Sequence, residues 1–247
     1  MTQIPQSQPP LPPGLNEPKM TSKILKSDGS FPNNEQLPLL IYQQAFDLVQ
    51  DDPASQIEAV FESNVWCGIW RNGIHTSHHY HSNAHEVLGC YAGTARIQFG
   101  GPSGFIANLQ AGDVVIVPAG IAHRNVDCSA NFRIIGAYPR GQQSYDLRRG
   151  LPNERPKADE TIARVPLPDS DPVYGAFGPM VSEWKLSSKP RPSSSITPAK
   201  AVIAASPRES TPKTDIKPVP KESSSRADTA RKFLRPRPAN SEQRNLL

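Results

Sequence analysis

The stretch Gly73-Ile74-His75-Thr76-Ser77-His78-His79-Tyr80-His81-Ser82-Asn83-Ala84-His85-Glu86 gathers five of the six histidines of a 247-residue chain. The sixth closes a second stretch, Gly112-Asp113-Val114-Val115-Ile116-Val117-Pro118-Ala119-Gly120-Ile121-Ala122-His123. Neutral imidazole is the side chain that most often ligates transition metals, so this clustering points to metal chemistry. On an extended segment, residues two apart project to one face. His79 and His81 therefore share a face that His78 does not. Glu86 heads the next apolar run, and Gly93 ends it. In the second stretch a branched run meets Pro118-Ala119-Gly120, where proline fixes the entry of a turn and glycine supplies positive φ.

Working outward, the punctuation is that of a β protein. Trp66–Trp70, Glu86–Tyr91, Thr94–Phe99, Asp113–Val117 and Phe132–Tyr138 are short apolar runs divided by glycines, a pattern that predicts an antiparallel sandwich or barrel. Ala95, Ile97 and Phe99 alternate onto one face. Leu37–Tyr42 is expected at a sheet edge, where Pro38 is tolerated. Asp52-Pro53 predicts a short helix to about Glu62, with Asp at the N-cap and Pro in the first turn.

Composition sets the domain boundaries. Residues 1–22 hold six prolines and no strand or helix period, which predicts a disordered leader. Residues 187–247 hold nine prolines, eleven serines and one aromatic, Phe233, too little apolar surface to offset the entropy of ordering. Residues 23–186 are left as one folded domain. The net charge of +4 divides unevenly, with +8 on residues 187–247 and −4 on the rest. A nucleic-acid-binding face on the folded part loses its support. No apolar run approaches the ~18 residues of a membrane span, and the first 36 residues lack a secretory h-region. Three cysteines, Cys67, Cys90 and Cys128, are too few and too odd for a disulfide scaffold; they read as small hydrophobes in a cytoplasmic protein.

The two histidine stretches together resemble the motifs of the cupin superfamily. Gly73, His79, His81, Glu86 and Gly93 match the first motif at family spacing, and Gly112, Pro118, Gly120 and His123 match the second; Asp127 stands where the family usually has asparagine. The stretches Gly136–Gly141 and Asp171–Gly175 are similar to those of an uncharacterised branch of small single-domain cupins. The resemblance implies an all-β jelly-roll barrel with one divalent transition metal, Fe, Mn, Ni, Co, Cu or Zn, held by His79, His81, Glu86 and His123. Four protein ligands on a six-coordinate ion leave about two positions for substrate or O₂, whereas tetrahedral zinc on all four would be structural.

Three functional readings follow. The first is a metal-dependent enzyme, a dioxygenase or an isomerase/epimerase, acting on a small polar metabolite. The second is a non-catalytic small-molecule binder or sensor. The third adds a partner docking on the basic cluster Arg231–Arg237, which also fits a nuclear signal. A homodimer is compatible with each. No catalytic residue beyond the ligands is singled out. Of the remaining candidates, His85 stays open between replacing Glu86 as a ligand and orienting one, and His75 is expected in solvent. Asp113 is expected to bond local backbone. Trp70, Arg96, Phe99 and Tyr138 are candidates to line a pocket, with Phe99, Ile116 and Val117 keeping it dry.

Overall fold

The computed structural model describes residues 11–48 and 51–187. The first ten residues of the expected leader, and the tail with Arg231–Arg237, lie outside the described residues. Among the described residues there are nine strands and three short helices: β1 (Lys19–Leu25), β2 (Asn34–Gln43), α1 (Pro53–Ser63), β3 (Trp66–Asn72), β4 (Glu86–Ala92), β5 (Thr94–Phe99), β6 (Phe105–Gln110), β7 (Val114–Val117), β8 (His123–Cys128), β9 (Arg133–Pro139), α2 (Lys157–Ile162) and α3 (Pro179–Ser187). A six-stranded sheet runs β1-β2-β7-β4-β9-β3, and a three-stranded sheet runs β6-β5-β8. Every strand pairing is antiparallel. The two sheets enclose one apolar interior to which Leu88, Val115, Val117 and Ile134 of the large sheet and Ala95, Ile97, Phe99 and Leu109 of the small one contribute. This is the expected all-β jelly roll. Among the described residues no helix is long and apolar enough to cross a membrane.

The large sheet is covered on its other face as well. Ile57 and Phe61 of α1 and Met180, Val181 and Trp184 of α3 pack against Leu40, Val87, Val114, Ile116, Ile135 and Ala137. A sheet buried on both faces needs continuous apolar strands rather than alternation. That is why β7 is Val-Val-Ile-Val throughout and why β9 is buried from Ile134 to Pro139. The helix α1 approaches β4 at Gly89. A Cβ there would lie 2.9 Å from Ile57 Cγ2 and 3.0 Å from Phe61 Cζ. Its start is as expected: the Asp52 side chain accepts from Ser55 N–H, and Pro53 occupies the first turn.

Three expectations are corrected. The strand holding Pro38 is internal, flanked by β1 and β7. Pro38 is tolerated because the β1–β2 register jumps from Lys23↔Leu39 to Leu25↔Asn34, while β7 pairs only with Leu40–Tyr42. No ladder bond is asked of its nitrogen, and its carbonyl accepts the Trp184 indole N–H at 3.0 Å. The edge on that side is β1, whose first four residues fall within the expected leader, and Leu15 upstream forms a bridge with Phe46. Main-chain pairing orders this mostly exposed segment without needing apolar side chains, and its lysines suit an unprotected edge. Among the cysteines, Cys90 is buried and Cys67 half-buried, but Cys128 is exposed at the end of β8.

Candidate metal centre

The four expected ligands come together at one end of the barrel. His79 and His81 lie between β3 and β4 in an extended segment, where His79 and His123 exchange backbone hydrogen bonds of 3.2 and 2.9 Å. His123 opens β8, and Glu86 opens β4 opposite Val117. The turn between β7 and β8 is fastened to the same segment, since Gly120 N–H donates to His81 O at 2.8 Å. Gly120 has φ +92°, and a Cβ there would stand 2.5 Å from Asn33 O. The turn therefore requires glycine for conformation and for space.

Each imidazole is oriented from behind. His79 Nδ1 lies 3.2 Å from Ser77 O, His123 Nδ1 3.2 Å from Ile121 O, and His81 Nδ1 against Asp146 O. A carbonyl only accepts, so Nδ1 carries a proton in all three, and in each neutral ring Nε2 is the nitrogen with the lone pair. The free nitrogens face one carboxylate, with His81 Nε2 3.6 Å from Glu86 Oε1 and His123 Nε2 3.3 Å from Glu86 Oε2. The Tyr138 hydroxyl donates to Oε1 at 2.8 Å, and the Trp70 indole N–H donates to that hydroxyl at 3.0 Å. Oε2 is buried and has no hydrogen-bond partner among the described residues.

The electrostatics follow from burial and charge. Burial holds His79 neutral by pushing its pKa down to about 2, with the neighbouring His123 adding to the effect. Burial opposes the charge on Glu86, but His81 and His123 outweigh it and hold the carboxyl well below its usual range. His81 moves up, because Glu86 and Asp146 overcome its desolvation. Tyr138 is driven up by burial and then by Glu86, so it remains a hydrogen-bond donor. The donors are gathered but not drawn onto one point: among the described residues no trio of His, Cys, Asp or Glu has ready metal-holding geometry.

The other histidines separate clearly. His78 turns away from the cluster, its ring 5.4 Å from Phe31. His85 sits on the opposite face of the chain from Glu86, 4.7 Å from the Trp184 ring, with Nδ1 accepting from Ala119 N–H. Burial lowers its pKa to about 3. It is neither a substitute for Glu86 nor in contact with the three imidazoles. His75 is exposed at the mouth, its ring 4.9 Å from that of His79. Asp113 accepts from Gln110 N–H, as expected of a turn residue, and also from Gln44 in the turn after β2.

A cavity of about 380 Å³ opens over the cluster, with Trp70, Ile74, Leu88, Tyr138, Tyr145 and Leu147 in its walls. A larger cleft of about 630 Å³ lies at the other end of the barrel and contains Arg96 but none of the histidines. Arg96 is thus removed from the site. Ile116 belongs to the layer beneath the helices, whereas Phe99 and Val117 are interior as expected. The residues that sequence reasoning missed are Tyr145 and Asp146. Tyr145 stacks on Tyr138 with ring centroids 4.2 Å apart. The Asp146 carboxylate accepts from Ser82 N and Oγ, both at 2.6 Å, which fixes the carbonyl behind His81. Both come from a loop with no periodic pattern, and nothing in its sequence marks which histidine it meets.

A family model described as Cupin matches residues 70–138, a span that includes all four clustered side chains. The uncharacterized protein YjlB of Bacillus subtilis (strain 168) is 38% identical over 157 residues, which is 64% of this chain and 92% of YjlB. The chain belongs to the cupin family. Among solved structures, the cupin overlaps an uncharacterized Klebsiella pneumoniae protein with a double-stranded β-helix domain (15% identity, 56% of this chain and 90% of that one, TM-score 0.26). It also overlaps a DUF861 family protein from Thermotoga maritima (17%, 35% and 92%, TM-score 0.24) and an 11S allergen from Cocos nucifera (24%, 38% and 30%, TM-score 0.28). The cupin spans only 22% of the coconut allergen cocosin. At the position where its family usually has asparagine, Asp127 faces Arg96 across the β5–β8 ladder, on the strand that His123 opens.

Proposed function

We propose that this cupin binds one divalent transition metal ion through His79, His81, Glu86 and His123. In this reading it acts as an enzyme of the dioxygenase or isomerase/epimerase type on a small metabolite in the adjoining cavity. The observation that supports the reading is the buried Glu86 Oε2, which has no hydrogen-bond partner among the described residues and lies 3.3 Å from His123 Nε2. A buried carboxylate oxygen without a partner is costly, and three imidazoles with one carboxylate suit Fe, Mn, Ni, Co, Cu or Zn better than Ca²⁺. When bound, such an ion supplies Lewis acidity at a carbonyl or hydroxyl, or a redox centre for O₂. The protein residues have separate tasks. Asp146 O, Ser77 O and Ile121 O hold the proton on each Nδ1, Tyr138 restrains Glu86 Oε1, and Phe99 and Val117 exclude water beneath.

A second reading, a binder or sensor in which the metal only organises the pocket, is favoured by the commitment of Tyr138 to Glu86. That hydroxyl is held by the carboxylate rather than offered to a substrate. Elemental analysis of protein purified without added metal tests the common part. About one ion per chain is expected in the wild type and in His78→Ala, and its loss in His81→Ala and His123→Ala. Metal retained in His81→Ala would defeat the assignment. Oxygen consumption, or deuterium incorporation from solvent next to a carbonyl, then separates oxygenase from isomerase, and neither signal leaves the binder.

A further inference from the structure

At the mouth of the cavity His75 has no task in the ligand set, and its placement gives it one. It lies on the loop between β3 and the His79–His81 segment. Asn125 N–H, on the strand that His123 opens, donates to His75 O at 2.8 Å. The backbone is therefore pinned beside the donor cluster while the side chain stands exposed. Neither ring nitrogen has a hydrogen-bond partner among the described residues. The ring lies 4.9 Å from that of His79. Within the cluster the imidazole rings stand 4.2 Å (His79–His123), 5.9 Å (His79–His81) and 6.2 Å (His81–His123) apart. The spacing of His75 to His79 falls inside the range set by the expected ligands themselves.

Other polar groups in the cavity wall are engaged or unsuited. Arg71 is a cation paired with Glu58 at 2.6 Å. Asn72 Oδ1 accepts from Gly73 N–H at 2.8 Å, and Asn72 Nδ2 is a donor that offers a metal no lone pair. The Tyr138 hydroxyl donates to Glu86. The four expected ligands are all buried, at 2–5% exposure. A hydrated divalent ion that entered them directly would leave water before any side chain held it, at the desolvation cost of an unpaired charge. A free imidazole at the lip, next to the outermost partner it can share with the buried set, spreads that cost over successive ligand exchanges.

We infer that His75 and His79 form an outer station where a divalent transition metal ion is first held, and that the ion passes inward as His75 is exchanged for Glu86, His81 and His123 while His79 keeps its hold. The inference rests on the metal-binding reading and adds to it the entry path that a buried site needs. His75 is an entry ligand, absent from the final set. Stopped-flow mixing of Co²⁺ with the chelator-stripped full chain tests this, read by quenching of tryptophan fluorescence, since Trp70 lines the cavity. Release is timed with excess EDTA, and affinity is measured separately by chelator competition. An entry ligand speeds loading and release alike. In His75→Ala both rates should therefore fall about tenfold, with affinity and the stoichiometry of one ion per chain as in the wild type. His75→Cys, which restores a metal-binding side chain, should recover the wild-type rates, and His78→Ala should leave them unchanged. Loading at the wild-type rate in His75→Ala overturns the outer station. So does weakened affinity with faster release, which makes His75 a resident ligand, and so does slow loading that cysteine fails to restore. Wild type that takes up no Co²⁺ removes the metal-binding reading and the station with it, whereas one ion bound at an unchanged rate removes the station alone.

Discussion

The two faces of the large sheet are built for different ends. Beneath α1 and α3 the outer layer is mostly apolar: Trp184 is 1% exposed, Phe61 and Ile57 are fully buried, and its buried carboxylate, Asp171, is held by Tyr42 OH and Met180 N–H. Even its buried histidine, His85, is held neutral. The inner layer has a comparable apolar base in Leu88, Val117, Ile134 and Phe99, but one end of it carries three imidazoles and a carboxylate that burial alone would penalise. Burial of side chains is thus devoted to stability on one face and shared with a polar site on the other. Substitutions on the two faces should separate stability from metal affinity.

The largest effect is expected from Trp184→Ala. It removes a buried indole and its hydrogen bond to Pro38 O, and it should cost about 3–5 kcal/mol in denaturant unfolding while metal content is retained. A mild loss would mean that α3 is not an integral part of the outer layer. Gly89→Ala comes next: a Cβ at 2.9 Å from Ile57 overpacks the α1–β4 contact and should cost about 1–3 kcal/mol, again with metal retained. Tyr138→Phe, on the inner face, should invert the pattern. Losing the contact to Glu86 should weaken metal affinity about tenfold, measured by competition with a chelator, for a stability loss near 1 kcal/mol.

The smallest effect concerns pH. Glu154 accepts from Tyr80 OH and from the N–H groups of Arg149 and Gly150. Burial works against its charge, but these donors prevail and lower its pKa. A carboxyl lowered in the folded state stabilises above the ordinary carboxylate range and loses that contribution as pH falls through its folded value. Wild type should therefore melt a few degrees above Glu154→Gln at pH 7, and the gap should close toward pH 3. A gap that persisted would assign the difference to shape rather than charge.

This contrast also explains what the sequence disclosed. The strands β4, β5, β7 and β9 were legible because burial on one or both faces imposes apolar runs. The helix α1 was legible because Asp52 and Pro53 cap it. By contrast β8, His-Arg-Asn-Val-Asp-Cys, has one large apolar residue, and β1 is mostly exposed. Backbone pairing holds both, and pairing leaves little trace in side-chain pattern. The strand β6 does alternate, with Ala107 and Leu109 facing inward, but its signal is short. In the site, His79, His81, Glu86 and His123 stood out by spacing within two segments. Tyr138, Tyr145 and Asp146 reach the cluster from far along the chain, through contacts that no local spacing records.

The donor cluster straddles the seam of the barrel. Glu86 belongs to the six-stranded wall and His123 to the three-stranded one, while His79 joins the second wall by a single bridge. Amides of β7, locked between β2 and β4, exchange with solvent only when the whole wall comes apart, whereas those of β6 sit on a free edge and exchange by fraying. The strand β8 is the other edge of the small wall, and the amides of His123 and Asn125 donate across the seam to His79 O and His75 O. Hydrogen exchange at these two amides is therefore the place where a parting of the donors would register.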